Sequence, residues 1–265
     1  MLPILVCVGL LFAPARGGDG QKSPPSAEAV ERAGTELDEA FRANDVKRIE
    51  AALEAAQSVS HASVVRKVAR GLDDERPEVV QATLQALRWL EHPDALETLH
   101  RAMKEKRVLR TPELVGSALR AIGQHADPRS VAVLARDPFE PMDYVCLRAR
   151  LFGLGRIRTR ESLAALIGIL GVTGPAGRDR RVQPQMEDAR LALMVLTGLD
   201  QGSAPENWER WWRANEKTFE LPAEPPLLPK ELRVTWDGFW GLPIEYERDR
   251  RREDRGKDPE RPRKE

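Results

Sequence analysis

Val79, Val80, Thr83, Leu84, Leu87 and Leu90 fall at offsets 0, 1, 4, 5, 8 and 11, which places all six on one face of a helix with 3.6 residues per turn. Pro77 opens this stretch, where a missing backbone N–H costs nothing, and His92-Pro93 marks a corner before the next helix. The pattern recurs. A shift of 35 residues gives Pro112, Leu114, Val115, Ala118, Leu119 and Ile122, then the corner Asp127-Pro128, with Leu134 matching Leu99. A further shift of 32 reaches Cys146, Leu147, Leu151, Leu154-Gly155 and Ile157, followed by Leu163 and Leu166 on the next helix. A last shift of 39 reaches Ala192, Leu193 and Leu196, the added length lying in a loop from about Gly171 to Val182. Upstream, Val64, Val65, Val68 and Leu72 form a stripe that ends at Asp73-Asp74. Before it, apolar periodicity from Ala27 to Phe41 and from Val46 to Ala56 predicts one more pair, with Asp45 as the N-cap of its second helix. The expectation is an all-α stack of about five helix pairs over residues 27–218.

The pattern changes after residue 196. Ser203 and Glu206 have the spacing of a capping box, Pro205 suits a first turn, and Trp208, Trp211 and Trp212 share one face of the helix that follows. Such a helix covers the apolar end of a stack. Residues 219–244 read as a proline-stiffened connector, Leu221 to Pro229, leading into an apolar, aromatic stretch with turn glycines, Val234 to Ile244. Residues 245–265 are almost wholly charged and are expected to be disordered.

Pro-Glu-Val-x-x-Ala, then Ala-Leu-x-x-Leu and a corner Asp-Pro, resembles the HEAT repeat, specifically the bacterial HEAT-like kind first named for phycobilisome lyase proteins. The resemblance covers roughly residues 45 to 216. It implies an α-α superhelix, a HEAT-like solenoid with an extended concave surface, and is nearly silent on function; the expectation is that this surface, or the aromatic tail, holds another protein. One feature departs from the family: Val80, Val115 and Leu147 stand where an arginine is usual, so the Asp–Arg ladder is largely missing. The segment from Leu196 to Trp212 is similar to the closing segment of exported HEAT-repeat proteins of large-genome bacteria. Residues 234–244 resemble the lead-in to a von Willebrand factor A domain, which does not follow in this sequence.

Charge and composition add compartment and exclusions. Lys plus Arg total 42 and Asp plus Glu total 42, so no net field draws the chain to nucleic acid or an anionic membrane. Residues 1–15 carry no charge and end in the small-x-small motif Ala13-Pro14-Ala15, which predicts an export signal cleaved after Ala15. Its apolar run is too short to span a bilayer, so the expected location is the periplasm or cell envelope without stable membrane insertion. Residues 16–26 form a polar, flexible lead-in. Cleavage would leave Cys146 alone, and its place on the apolar stripe makes it a core residue.

The candidate chemistry is sparse. His61, His92, His100 and His125 have no metal-ligand spacing, and His92 and His125 fall at helix ends where an imidazole meets the last carbonyls. Gly168, Gly171, Gly174 and Gly177 recur every third residue, but without a following Lys-Ser or Lys-Thr they mark a helix stop and a loop. No catalytic, cofactor-binding or metal-binding residue is expected. Arg178, Arg180 and Arg181 are candidates for an anionic partner. Trp236, Phe239 and Trp240 either fold back on the solenoid or serve as a ligand for another protein. The expected function is a monomeric, non-catalytic, exported scaffold for an unidentified protein partner. The alternatives are a HEAT-like nucleic-acid-binding or DNA glycosylase-like protein, and a shortened relative of a HEAT plus von Willebrand A-domain protein.

Overall fold

The computed structural model describes residues 24–172 and 183–243. The expected signal at 1–15, the loop arginines Arg178, Arg180 and Arg181, and the charged stretch 245–265 lie outside the described residues. Twelve α-helices, joined by short 3₁₀ turns, and no strands make up the described secondary structure, so the fold is all-α.

The helices form two layers. The front layer stacks α2 (Val46–Ala56), α4 (Pro77–Trp89), α6 (Pro112–Gln124), α8 (Tyr144–Arg156) and α10 (Gln183–Thr197), each on the next. Behind them run α1 (Ala27–Ala43), α3 (Ala62–Ala69), α5 (Pro93–Ala102), α7 (Val131–Ala135), α9 (Arg160–Val172) and α11 (Pro205–Asn215). In this back layer α1 packs on α3, α3 on α5, α7 on α9 and α9 on α11. The apolar stripes read from the sequence fill the space between the helices: Val79, Leu84, Leu87, Ala118, Leu119, Ile122, Cys146, Leu154 and Leu193 are all fully enclosed. Each large aliphatic side chain so buried contributes about 1.5–3 kcal/mol.

Local chemistry sets the helix ends. The Asp45 carboxylate accepts from the Arg48 N–H at 2.9 Å and caps α2, and Ser26, Thr111 and Asp143 cap α1, α6 and α8 in the same way. Pro77, Pro93 and Pro112 each occupy a first helical turn. Arg150 takes the stripe position of α8 that Thr83 and Ala118 hold in α4 and α6. Its guanidinium reaches out of the core to the carbonyls of Leu134 (3.0 Å), Arg136 (2.8 Å) and Glu140 (3.0 Å), fastening the loop before α8.

Three expectations are corrected. The Ser203–Glu206 capping box does not form, because α11 begins one residue later, with Ala204 at the N-cap and no side-chain bond there. The entry to α11 is held instead by Trp208 Nε1–H donating to the Gly202 carbonyl at 2.7 Å and by Asn207 donating to the Gln201 carbonyl. His92 does not meet the last carbonyls of α4: its Nδ1 accepts from the Asp94 N–H and so caps the start of α5. His125 does reach a carbonyl, but that of Leu87 in the neighbouring α4, at 3.0 Å. Finally, the aromatic stretch read as carrying turn glycines is a helix, α12 (Lys230–Trp240), with Gly238 inside it.

Candidate functional site

α12 lies across the front layer. Its buried face is Leu232, Trp236, Phe239 and Trp240, at offsets 0, 4, 7 and 8, while Glu231, Arg233 and Thr235 face water. Gly241, at φ 71°, ends the helix: its N–H donates to the Gly238 carbonyl and the Leu242 N–H to the Asp237 carbonyl, the pair of bonds that defines a Schellman motif.

The front layer receives α12 through positions on the side of its helices opposite the apolar stripe. By the repeat shifts of 35 and 32, Arg88, Gly123 and Gly155 are equivalent, and so are Gln85, Arg120 and Phe152. The glycines open seats for the indoles: a Cβ at Gly123 would lie 2.9 Å from Trp240 Cη2, and one at Gly155 3.1 Å from Trp236 Cη2. Between these seats Phe152 packs on Trp236 and Phe239, with centroids 5.0 and 4.7 Å apart. Arg120 lies over the Phe239 ring at 4.9 Å and Arg156 over the Trp240 ring at 4.8 Å. Arg148, itself paired with Asp188 at 3.5 Å, stacks on Phe152. Such cation–π contacts contribute about 0.5–2 kcal/mol each as water is excluded.

The polar contacts are of one kind. Arg88 Nη2 donates to the Trp240 carbonyl at 2.6 Å, and Arg120 Nη2 donates to the Phe239 carbonyl. Earlier along the segment, Arg160 donates to the Phe219 carbonyl at 2.5 Å, and Arg158 donates to the carbonyls of Pro222 and Glu224. Four arginines of the stack thus hold residues 219–240 by main-chain oxygens. Arg88 and Arg120 sit at the C-terminal end of α12, where the helix carries roughly −0.5 of a charge. This is a weak counterion for them. Burial, then the neighbouring Arg120 and Arg156 guanidiniums, push the Arg88 pKa down to about 10, and burial lowers Arg120 and Arg156 as well.

The sequence candidates divide accordingly. Trp236 and Trp240, named as possible partner-binding residues, are buried in the contact with the chain's own front layer and offer no face to a partner in this arrangement; Phe239 is half-buried. Of the two outcomes open to the aromatic segment, the structure describes the folded-back one. Arg88, Arg120, Arg156, Arg158 and Arg160 were not anticipated as a group. Their signal in the sequence is positional: they lie off the apolar stripe, with Arg88 at the site equivalent to Gly123 and Gly155 and Arg156 next to Gly155.

Other chemically active side chains are structural. Cys146 is enclosed, its thiol donating to the Pro112 carbonyl at 3.1 Å, and burial together with Asp143 pushes its pKa up to about 12. At neutral pH it is a protonated thiol, not a thiolate nucleophile. Tyr144 donates to Asp188 at 2.7 Å, and burial raises both groups. Among the described residues no group of three His, Cys, Asp or Glu is arranged to hold a metal ion, and no helix is long and apolar enough to cross a membrane.

Compared with known proteins, the chain matches no family model and no curated sequence.

Proposed function

We propose that the protein is a non-catalytic, exported scaffold of HEAT-like repeats that holds another protein on its front layer. The observation that carries this reading is the way residues 219–240 are held: arginines from α4 and α6 and from the α8–α9 corner take main-chain carbonyls, and glycine seats take aromatic rings. Contacts to main-chain oxygens select a segment by its conformation more than by its side chains, and the aromatic seats add specificity. The repeat supplies the surface, since its stripes are consumed in stacking and its opposite positions stay free to vary. Neutral overall charge disfavours a nucleic acid as the partner.

Site-specific photocrosslinking in the cell envelope tests this reading. A crosslinker at Gln85, the front-layer position equivalent to Arg120, is expected to trap one protein reproducibly, and a crosslinker at Glu97 in back-layer α5 is expected not to. The same adducts from both positions would contradict a front-layer function. Duplex DNA retarded in a gel and released by added salt would replace the reading with the nucleic-acid one.

A further inference from the structure

A cavity of about 400 Å³ lies at the ends of α4, α6 and α8, walled by Arg88, Trp89, Gln124, His125 and Arg156. Two guanidiniums converge on it, and among the described residues neither has an anion. Arg88 is 4% exposed; its Nη2 is shared between the Trp240 carbonyl and Gln124 Oε1 (3.2 Å), and its enclosed Nε has no acceptor. Arg156 has no hydrogen-bond acceptor among the described residues. Its guanidinium rests on the Trp240 ring and its Nε is enclosed without a partner. Arg120 adds a third positive charge nearby and also meets only a carbonyl.

The acids on the cavity wall do not fill this role. Asp127 is held by Arg129, side chain to side chain at 2.9 Å and through the Arg129 N–H at 2.8 Å. Glu91 lines the rim, but no carboxylate is among the groups that shift Arg88 or Arg156. The imidazoles are also committed, His92 as the cap of α5 and His125 to the Leu87 carbonyl. Cations gathered under partial burial without a counterion are costly. A planar guanidinium with free N–H donors matches the oxygen spacing of a carboxylate or a phosphate.

We infer that this cavity is an oxyanion site in which Arg156 and Arg88 bind a carboxylate or phosphate group, with Gln124 holding Arg88 in place. The site is independent of the scaffold reading, because it rests on the charges in the wall and not on what the front layer holds. When occupied, it supplies the negative charge that the end of α12 provides only in part, so the anion also secures α12.

Calorimetric titration of the full chain with inorganic phosphate and, separately, with succinate tests the inference, at neutral pH and an ionic strength fixed with chloride. One saturable site is expected for at least one probe, with a rise in Tm as that probe is added. Tighter phosphate assigns the group to a phosphate, tighter succinate to a carboxylate. Arg156→Gln is expected to weaken binding at least tenfold, while Arg129→Gln, on the same wall but already paired, changes it less than twofold. Arg156→Lys keeps the charge, loses the planar fork and should weaken binding severalfold; it decides the matter if Arg156→Gln does not fold. No saturable binding of either probe to the native chain, or binding unchanged in both Arg156 variants, would overturn the site.

Discussion

Trp240 closes the contact between α12 and the stack, and it is fully enclosed although residues 241–243 beside it are exposed. Its ring touches Gly123 and Arg156 and its carbonyl accepts from Arg88, so one residue joins three front-layer helices. Trp240→Ala is therefore expected to cost about 3–5 kcal/mol in urea unfolding, the range for removing a large buried aromatic. A cost below about 1 kcal/mol would place Trp240 on the surface. A second residue-scale prediction concerns pH. Burial holds the imidazoles of His125 and His100 below their ordinary pKa. A depressed histidine binds its proton more readily unfolded, so its stabilising contribution is complete above the unfolded value of about 6.5 and is lost as pH falls below it. Unfolding free energy should decline between pH 7.5 and 5.5, and decline less in His125→Gln; an identical slope in the variant would remove His125 from the account.

At the scale of elements, the front-layer helices were legible because period 3.6 recurs at each repeat and corner prolines agree with it after α4 and α6, and the residues so picked out are the enclosed ones. The helix α12 was not. Val234, Thr235, two tryptophans, Asp237 and Gly238 are poor helix formers, and Gly238 and Gly241 together suggest a turn. The offsets of Leu232, Trp236, Phe239 and Trp240 were present, but an eleven-residue helix of this composition owes its stability to what it packs on. That surface is built by residues far away in sequence. A synthetic peptide spanning residues 228–243 should accordingly show little helical circular dichroism alone in water. Strong helicity in isolation would mean that local propensity, not docking, forms α12. Cutting the folded chain between Leu221 and Pro229 should lower its Tm, because the docked helix then becomes free to leave.

Considered as a whole, the molecule uses the two sides of its front layer differently. One side carries the stripes and packs on the back layer; the other carries Arg88, Arg120, Phe152 and the paired glycines, and receives the chain's own C-terminal segment. The stack was readable from one sequence because every repeat restates it. The clasp was not, because each arginine sits at a different repeat position and meets a carbonyl, a group that every residue possesses. That clasp holds the C-terminal segment to the stack, and hydrogen exchange resolved by peptide measures it directly. Amides of residues 233–240 should exchange within about tenfold of those in α6, and replacing Arg88 and Arg120 together by Met should speed them about 10–100-fold, or roughly 1.4–2.7 kcal/mol, with α6 and α8 unchanged. Exchange of residues 233–240 at the rate of an unstructured peptide in the native protein would contradict it.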